Sequence, residues 1–401
     1  MQEPTAQRPE GGFPVVGIIG GGQLARMCQP PAVGLNLALS VLAESPTAAA
    51  ALVVPHAPVG SADDMAAVLA FAAGCDVVTF DHEHVPQDVM HAIQASGVAV
   101  HPDPAALVFA QDKIAMRSRL GDLGVPCPHW AVARSATDVE DFARQVGWPV
   151  VAKTPRGGYD GKGVRVISGV QQISDWLAQV GHSDSPLADG VLLEERVRFR
   201  RELAALVARS PSGQAASWPI VETVQSDGIC TEVLVPAPKL SEDVAAAATQ
   251  VALRIAGELN VTGILAVELF EVDGSDGEQP AFVVNELAMR PHNSGHWTID
   301  GSITSQFEQH LRAVLDLPLG ATTIRDHWTV MANVLGGDKP ELYSTYRHLL
   351  ARDPGLRVHL YGKSVRPGRK IGHVTVCGED LAELRARGQH AADYLQGVID
   401  E

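Results

Sequence analysis

The segment 153–163, Lys-Thr-Pro-Arg-Gly-Gly-Tyr-Asp-Gly-Lys-Gly, holds four glycines and a lysine near each end. Apolar runs end at Val151 and resume at Val164, which predicts a strand, a glycine-rich loop and a second strand. Bare backbone N–H groups between lysines suit a polyphosphate. The segment is not a Walker A loop, because Arg156 and Gly163 stand where that motif needs glycine and a hydroxyl residue. The alternative is an ordinary hairpin turn, which would need only one or two glycines and no flanking lysines.

Two acids stand at matching positions in a predicted hairpin. Runs 262–270 and 282–287 alternate like strands, and a hairpin symmetric about Gly277 places Glu268 opposite Glu286. Opposed residues have Cβ atoms about 5 Å apart, and like charges there are destabilising, so we expect a bridging cation. Mg²⁺ suits two carboxylates that also face nucleotide phosphates. A register slip of one residue is the alternative, and it would direct the acids to opposite faces.

Two further polar stretches favour ligand binding. The run 290–297, Arg-Pro-His-Asn-Ser-Gly-His-Trp, directly follows the paired acids and is a candidate for substrate binding and acid–base chemistry. Segments 361–363 and 366–373 gather five basic side chains around turns, which indicates an anion site. A solvated basic surface loop is the alternative for the second stretch. A single histidine is more often structural than catalytic, so the first interpretation depends on the whole run.

Composition excludes several classes of protein. The 401 residues include 31 Lys and Arg against 47 Asp and Glu, a net charge of −16 that is unfavourable for nucleic-acid binding. No apolar run reaches the length of a membrane span. Residues 1–14 are polar and lack a signal pattern, so we expect a disordered leader on a cytoplasmic protein. Five separated cysteines indicate reduced thiols and no structural zinc.

The N-terminal pattern predicts a small open α/β sheet. Strands are expected at 13–19, 37–43, 76–80 and 98–100, with the glycine run 20–22 opening a helix. The spacing of Gly20, Gly22 and Ala25, with Glu44 after the second strand, also fits a dinucleotide fingerprint. An NAD-dependent dehydrogenase is therefore an alternative function, although any phosphate at a helix N-terminus would favour the same glycines.

The remaining elements follow from hydrophobic periodicity and turn residues. The segment 81–84, Asp-His-Glu-His, follows a strand, and we interpret it as a substrate-facing rim or plain surface because only two ligands would share a face. A strand at 191–197 ends in acids, which fits either a nucleotide-binding edge or an ordinary edge strand. Other elements are a helix from Lys113 to Leu120, a linker at 124–128, helices at 138–146, 171–180 and 298–315, and a strand at 203–208.

Five pieces of the chain resemble the N5-carboxyaminoimidazole ribonucleotide synthase family of ATP-grasp ligases. They are 20–24, 157–163, 285–296, 302–309 and 361–373. The resemblance implies a mixed α/β and α+β, three-domain ATP-grasp fold with an N-terminal Rossmann-like (pre-ATP-grasp) open parallel sheet. The implied domains are a pre-ATP-grasp domain 15–127, a lid subdomain 128–198 and a C-terminal domain 199–401 that holds the substrate and magnesium sites.

The resemblance also implies a reaction and its ligands. ATP and bicarbonate would carboxylate the amine of 5-aminoimidazole ribonucleotide through carboxyphosphate, giving N5-carboxyaminoimidazole ribonucleotide, ADP and phosphate in purine biosynthesis. One or two Mg²⁺ ions and a homodimer are expected, with no nucleic acid or membrane partner. Another ATP-grasp carboxylase or a formate-dependent ligase is the alternative, and the run 290–297 argues against it. A non-catalytic binding module does not explain the paired acids and lysines.

The family pattern assigns roles residue by residue. The implied catalytic residues are Lys153, Arg290 and His292, and the implied metal ligands are Glu268 and Glu286. The implied ATP contacts are Lys113, Lys153, Gly158, Tyr159, Asp160, Gly161, Lys162, Gly163, Val164, Glu194, Glu195, Arg196, Val197, Glu202, Asn285 and Glu286. The implied substrate contacts are Gly22, Gln23, Leu24, Tyr159, Asp160, Arg290, His292, Asn293, Ser294, Lys363 and Arg369. The chain departs from the pattern at Gln225, where the family usually has a histidine.

Overall fold

The computed structural model describes residues 7–158, 163–226, 228–273 and 282–400, and their strands form three sheets. The first sheet is parallel, in the order β2-β1-β3-β4, which confirms the predicted open α/β sheet. Its elements are β1 (Val15–Ile19), α1 (Gln23–Gly34), β2 (Ala38–Leu42), α2 (Met65–Ala72), β3 (Val77–Phe80), α3 (Gln87–Ala95) and β4 (Ala99–Val100). Within the predicted leader, Arg8 is held by an ion pair of 2.7 Å with Asp76, whereas residues 1–6 lie outside the described part of the chain.

Two helices connect the first sheet to the second: α4 (Pro104–Gln111) and α5 (Lys113–Asp122). Helix α5 begins where the sequence predicts, because the Asp112 carboxylate accepts the N–H groups of Ile114 and Ala115. The predicted linker 124–128 has no helix or strand. Helix α5 therefore leads directly from the first sheet into the second.

The second sheet is antiparallel, in the order β5-β8-β6-β7. Its elements are β5 (Trp130–Ala133), α6 (Ala136–Val146), β6 (Val150–Lys153), β7 (Val164–Ile167), α7 (Ser174–Leu177) and β8 (Val191–Glu195). Strands β6 and β7 pair from Val150↔Ile167 to Lys153↔Val164, which confirms the strand, loop and strand prediction. The predicted helix 171–180 is wrong in extent. A 3-10 turn at Val170–Ile173 precedes α7, and beyond it the N–H groups of residues 179 and 180 reach back three residues, so the chain tightens into turns.

The third sheet is antiparallel and has nine strands, in the order β14-β13-β9-β11-β12-β15-β17-β16, with β10 beside β9. Its first elements are β9 (Phe199–Arg209), β10 (Ala215–Ser217), β11 (Val221–Ser226), β12 (Ile229–Val235), α8 (Glu242–Glu258), β13 (Gly263–Val272) and β14 (Phe282–Ala288). The remaining elements are α9 (Thr298–Gly301), α10 (Gln306–Val314), β15 (Trp328–Leu335), α11 (Thr345–Arg352), β16 (Arg357–Leu360), β17 (Lys370–Gly378) and α12 (Leu381–Gln396).

The predicted helix 298–315 is wrong, because it is divided into α9 and α10. Ser302 is extended, and its hydroxyl accepts the indole N–H of Trp218 at 3.1 Å. The hydroxyl of Ser305 then caps α10 by accepting the Glu308 N–H. Serine side chains compete with helical hydrogen bonds in this way, and the break redirects the chain after the run 290–297.

Shared hydrophobic cores hold the first and third sheets together. One buried cluster contains Ile19 and Phe80 from the first sheet with Leu203 and Val267 from the third. The hydroxyl of Thr79 also hydrogen-bonds the buried imidazole of His310 on α10 at 2.9 Å. This packing fixes the carboxyl ends of β1 and β3 beside β13 and β14. In the described part of the chain, we find no helix long and apolar enough to cross a membrane.

Candidate active site

A cleft of about 890 Å³ lies where the three sheets meet, and each sheet contributes to its walls. The residues assigned from the sequence that line it are Gln23, Leu24, Lys113, Lys153, Gly158, Val164, Glu194, Glu195, Arg196, Val197, Glu202, Glu268, Asn285, Glu286, Arg290, His292, Asn293 and Ser294. Gly22, Gly163, Lys363 and Arg369 are not among the lining residues, and Tyr159, Asp160, Gly161 and Lys162 lie outside the described residues. Folding therefore brings most of the assigned residues into one space.

Lys153 ends strand β6 at the floor of the cleft and is held by a buried carboxylate. Its ammonium lies 2.7 Å from Glu194 Oε2, and the guanidinium of Arg117 lies 2.6 Å from Glu194 Oε1. Burial would raise the pKa of the Glu194 carboxyl, but the charges of Lys153 and Arg117 outweigh burial and hold that pKa below its ordinary value. A fixed ammonium at this position can bind a phosphate.

Glu268 and Glu286 are directly paired across β13 and β14, as the hairpin prediction required. Each acid has a nitrogen neighbour: Glu286 Oε1 lies 2.8 Å from the Lys113 ammonium, and Glu268 Oε1 lies 3.4 Å from the Nε2 atom of the His292 ring. Burial opposes ionisation of Glu268, yet the His292 ring, Lys153 and the Asn285 amide together lower its pKa. The two carboxylates therefore line the cleft with partners already beside them.

Asn285 links the lysine to the paired acids. Its side-chain oxygen accepts from Lys153 at 3.1 Å, and its amide nitrogen donates to Glu268 at 3.3 Å. The pairing of β13 with β14 shifts by one residue just after Glu268, so Asn285 is the extra residue of a β-bulge. The bulge directs the Asn285 side chain towards the same space as the two carboxylates.

The run 290–297 forms one wall of the cleft and is held from behind. The side chain of Gln306 is bound to the backbone of His292 twice, with both distances 2.8 Å. The His292 ring makes a further hydrogen bond of 2.9 Å with the Ser294 hydroxyl. Arg290 lies 3.2 Å from Glu83, which follows β3 of the first sheet. A guanidinium and an imidazole are thereby presented side by side next to the paired acids.

The acids of β8 and β9 divide into two environments. Glu195 lines the cleft, and its carboxylate accepts the His129 N–H at 2.9 Å. Glu202 is half-buried, and burial together with the charge of Glu268 raises the pKa of its carboxyl to about 7, against the effect of a hydrogen bond from Gln225. Phe199 and Phe270 stack with ring centroids 4.5 Å apart at the same edge. This edge offers an apolar surface beside polar groups.

The two ends of the chain meet at the N-terminus of α1. The Lys363 ammonium hydrogen-bonds the side chain of Gln23, so two residues assigned to the substrate lie together. Glu44 accepts the Gly21 N–H at 3.2 Å and so occupies part of the glycine loop. Arg369 instead donates to the Ser364 hydroxyl at 2.7 Å within its own loop. Its neighbour Lys370 lines the cleft.

Several lining residues had no assignment from the sequence. The segment 81–84, interpreted from the sequence as a substrate-facing rim or plain surface, lines the cleft. Asp81 accepts the Ala25 N–H at 2.7 Å, and burial raises the pKa of its carboxyl. Among the described residues, no group of three or more histidine, cysteine or acidic side chains could hold a metal ion. Buried Arg117 and Gln306 were missed because nothing in their local sequence signals a partner far along the chain.

Three family models match the chain in order. Residues 14–111 match the ribonucleotide synthetase preATP-grasp domain, residues 118–307 the ATP-grasp domain, and residues 329–387 the phosphoribosylaminoimidazole carboxylase C-terminal domain.

Curated relatives and solved structures agree with these models. The N5-carboxyaminoimidazole ribonucleotide synthase of Mycobacterium tuberculosis is 53% identical over 387 residues, covering 95% of this chain and 88% of the relative. That of Corynebacterium ammoniagenes is 45% identical, covering 98% and 94%. The N5-carboxyaminoimidazole ribonucleotide synthetase structure from Thermus thermophilus matches with a TM-score of 0.81 and 36% identity, covering 95% and 98%. The Aspergillus clavatus synthase, in complex with ADP and 5-aminoimidazole ribonucleotide, matches with a TM-score of 0.83 and 31% identity, covering 96% and 99%.

Proposed function

The chain belongs to the N5-carboxyaminoimidazole ribonucleotide synthases of the ATP-grasp family, and we propose that the cleft between its three sheets is the active site. The protein is an ATP-dependent carbon–nitrogen ligase of purine biosynthesis. It uses bicarbonate to carboxylate the amine of 5-aminoimidazole ribonucleotide, giving N5-carboxyaminoimidazole ribonucleotide, ADP and phosphate. The family membership excludes the alternative of an NAD-dependent dehydrogenase. The Glu44 carboxylate, on which that alternative depended, accepts a hydrogen bond from the Gly21 N–H.

ATP occupies the part of the cleft between the second and third sheets in this proposal. Lys153 and Lys113 bind its phosphates, since both ammonium groups line the cleft and both are already paired with carboxylates. The edge near Val197 and Glu202 receives the adenosine, because it combines apolar rings with polar side chains. The family resemblance assigns the segment 158–164 to the phosphates, and β6 and β7, which lead into and out of it, are paired in register.

The paired acids fit a magnesium ion held jointly with ATP. Mg²⁺ is commonly bound by one or two carboxylates together with substrate phosphates, and Glu268 and Glu286 supply two that face one space. When bound, the metal would neutralise charge on the transferring phosphoryl group. Lys113 and His292, which lie against the two acids in the described structure, would then be free to contact the phosphates and bicarbonate.

Arg290 and His292 orient bicarbonate in this proposal, so that its oxygen attacks the γ-phosphate and forms carboxyphosphate. The guanidinium suits a planar, two-oxygen anion, and Glu83 fixes its direction. Asn293 and Ser294 lie on the same wall and would contact the ribonucleotide. Its phosphate would bind between the N-terminus of α1 and Lys363. Carbon dioxide from carboxyphosphate is then released beside the amine.

The observation that carries the proposal is that Lys153, the pair Glu268 and Glu286, and the run 290–297 line one cleft. The test measures ADP release with aminoimidazole ribonucleotide, bicarbonate or both withheld. We expect full turnover when both are supplied with Mg²⁺ and ATP. Equal ADP release without the ribonucleotide and bicarbonate would contradict the assignment, and turnover with formate or biotin would indicate the alternative ligases.

Three further properties are proposed from the family resemblance. They are the domain limits 15–127, 128–198 and 199–401, a homodimer, and a cytoplasmic location. Light scattering on the purified chain tests the dimer, since a mass near twice 42.5 kDa is expected and a mass near 42.5 kDa would contradict it. Limited proteolysis followed by mass spectrometry tests the domain limits, and cuts should cluster near residues 127 and 198.

A further inference from the structure

Arg117 is a charged side chain with no solvent exposure, located where the three sheets meet. It lies on α5, between the first and second sheets. Its guanidinium donates to Glu194 Oε1 on β8 at 2.6 Å, to the Val284 carbonyl at 3.1 Å and to the Asn285 carbonyl at 2.6 Å on β14. One side chain therefore holds a strand of the second sheet and a strand of the third.

The groups that Arg117 holds are those that contact the proposed ATP and metal. Glu194 uses its other oxygen to bind Lys153, and the Lys153 ammonium also reaches the Asn285 side chain. The carbonyl held on β14 belongs to the bulge residue, directly before the proposed metal ligand Glu286. Arg117 does not line the cleft, so it can affect bound ligands only through Glu194 and Asn285.

The geometry of this contact needs a guanidinium in particular. Three nitrogen atoms in one plane donate in three directions, whereas a lysine ammonium is a compact charge on a flexible stem. The cluster contains two cations, Arg117 and Lys153, and one carboxylate, Glu194. Because Arg117 binds Oε1, the carboxylate is held with Oε2 towards Lys153, and the ammonium is held towards the cleft.

We propose that Arg117 is a positioning residue, which sets Lys153 on β6 and the metal-binding part of β14 at the separation that the phosphates of ATP require. The inference rests on the proposed function and adds a residue that contacts neither substrate nor metal. It predicts that disturbing Arg117 impairs phosphoryl transfer while leaving the aminoimidazole ribonucleotide site intact. That site is proposed on the first sheet, the run 290–297 and Lys363, whereas the described hydrogen bonds of Arg117 go to Glu194, Val284 and Asn285.

The first test compares Arg117→Lys with Arg119→Lys. Arg119 lies on the same helix, its side chain is 35% exposed, and its nearest carboxylate, on Glu258, is 3.9 Å away. We expect Arg117→Lys to lower kcat at least tenfold with KM for the ribonucleotide within twofold of the wild type. Arg119→Lys should keep both constants within twofold. Equal kcat in the two variants would overturn the inference, as would a loss confined to KM for the ribonucleotide.

A double-mutant cycle with Lys153→Met separates positioning from general destabilisation. If Arg117 acts through Lys153, adding Arg117→Lys to Lys153→Met should lower kcat by less than twofold further. If Arg117 only supports the fold, the two losses in kcat should multiply, and that result would overturn the inference. The wild type and Arg119→Lys show whether the Arg117 inference or the proposed function has failed. If neither protein responds to ribonucleotide and bicarbonate, the proposed function itself is overturned.

A second variant applies if Arg117→Lys does not fold. Arg117→Met combined with Glu194→Gln removes both buried charges together, so that no carboxylate is left without its partner. We expect this double variant to fold and to show the same loss of kcat, with KM for the ribonucleotide unchanged. A folded double variant with wild-type kcat would overturn the inference.

Discussion

Replacing Glu286 by glutamine removes one charge from the paired acids and keeps the shape of the side chain. Catalysis and stability should respond differently. Loss of a metal ligand costs several kcal/mol of stabilisation of the transferring phosphoryl group, so we expect turnover to fall by about a hundredfold or more. The stability of the ligand-free protein should change little, for reasons that come from the neighbours of Glu286.

Two opposing effects determine the change in stability. Removing the charge relieves repulsion with Glu268, and two unit charges about 5 Å apart interact by about 1 kcal/mol in water and about 3 kcal/mol at an effective dielectric constant of 20. It also removes the ion pair of 2.8 Å with Lys113, and a partly exposed pair of this kind contributes about 0–1 kcal/mol. Because the Glu286 side chain is 38% exposed, solvent screens both effects. We expect the free energy of unfolding to change by less than about 1 kcal/mol.

The assay is calorimetric unfolding of the ligand-free protein together with ADP release. The matched control is Glu271→Gln, which lies on β13, the partner strand of the same hairpin, and is buried against Arg201 at 2.5 Å. That control should lose roughly 1–3 kcal/mol of stability and keep its turnover. If Glu286→Gln loses as much stability as Glu271→Gln, Glu286 is a structural ion-pair partner and the magnesium site fails.

Three other predictions test separate parts of the cleft. Lys153→Ala should lower ATP turnover more than tenfold without unfolding the protein, because Arg117 still neutralises Glu194; unchanged turnover would remove the lysine from the site. Lys363→Ala should raise KM for the aminoimidazole ribonucleotide and leave KM for ATP unchanged, and the reverse pattern would show that its anion site serves ATP. Glu202 has a folded-state pKa of about 7, above the ordinary 4.5, so the folded state binds the extra proton and wild-type stability falls as pH rises from 4.5 to 7. The melting temperature of Glu202→Gln should therefore exceed that of the wild type at pH 8 but not at pH 4.5. A difference in melting temperature that does not depend on pH would contradict the raised pKa of Glu202.

The hairpin shows how far the sequence specifies the site. Strand alternation and the loop composition are local, so the pairing of Glu268 with Glu286 could be predicted. The bulge at Asn285 could not, because it depends on a carbonyl held by Arg117, 168 residues away. The partners of the two acids were also missed, since Lys113 and His292 reach them through tertiary packing.

The basic C-terminal loop shows a second limit. Lys363 and Gln23 were both assigned to the substrate, and their side chains are hydrogen-bonded. Arg369 was assigned to the substrate, yet Lys370 lines the cleft instead. Strand β17 begins at Lys370, and neighbouring residues at a strand end point in different directions. A composition-based prediction locates the cluster of charges but not which side chain enters the site.

Oxygen transfer from bicarbonate to phosphate tests the central claim most directly. The wild-type protein would be incubated with Mg²⁺, ATP, the aminoimidazole ribonucleotide and bicarbonate labelled with ¹³C and ¹⁸O. Attack of a bicarbonate oxygen on the γ-phosphate predicts one ¹⁸O atom in each inorganic phosphate and ¹³C in the carbamate on the amine. Unlabelled phosphate, or ADP formed without labelled carbamate, would contradict the account.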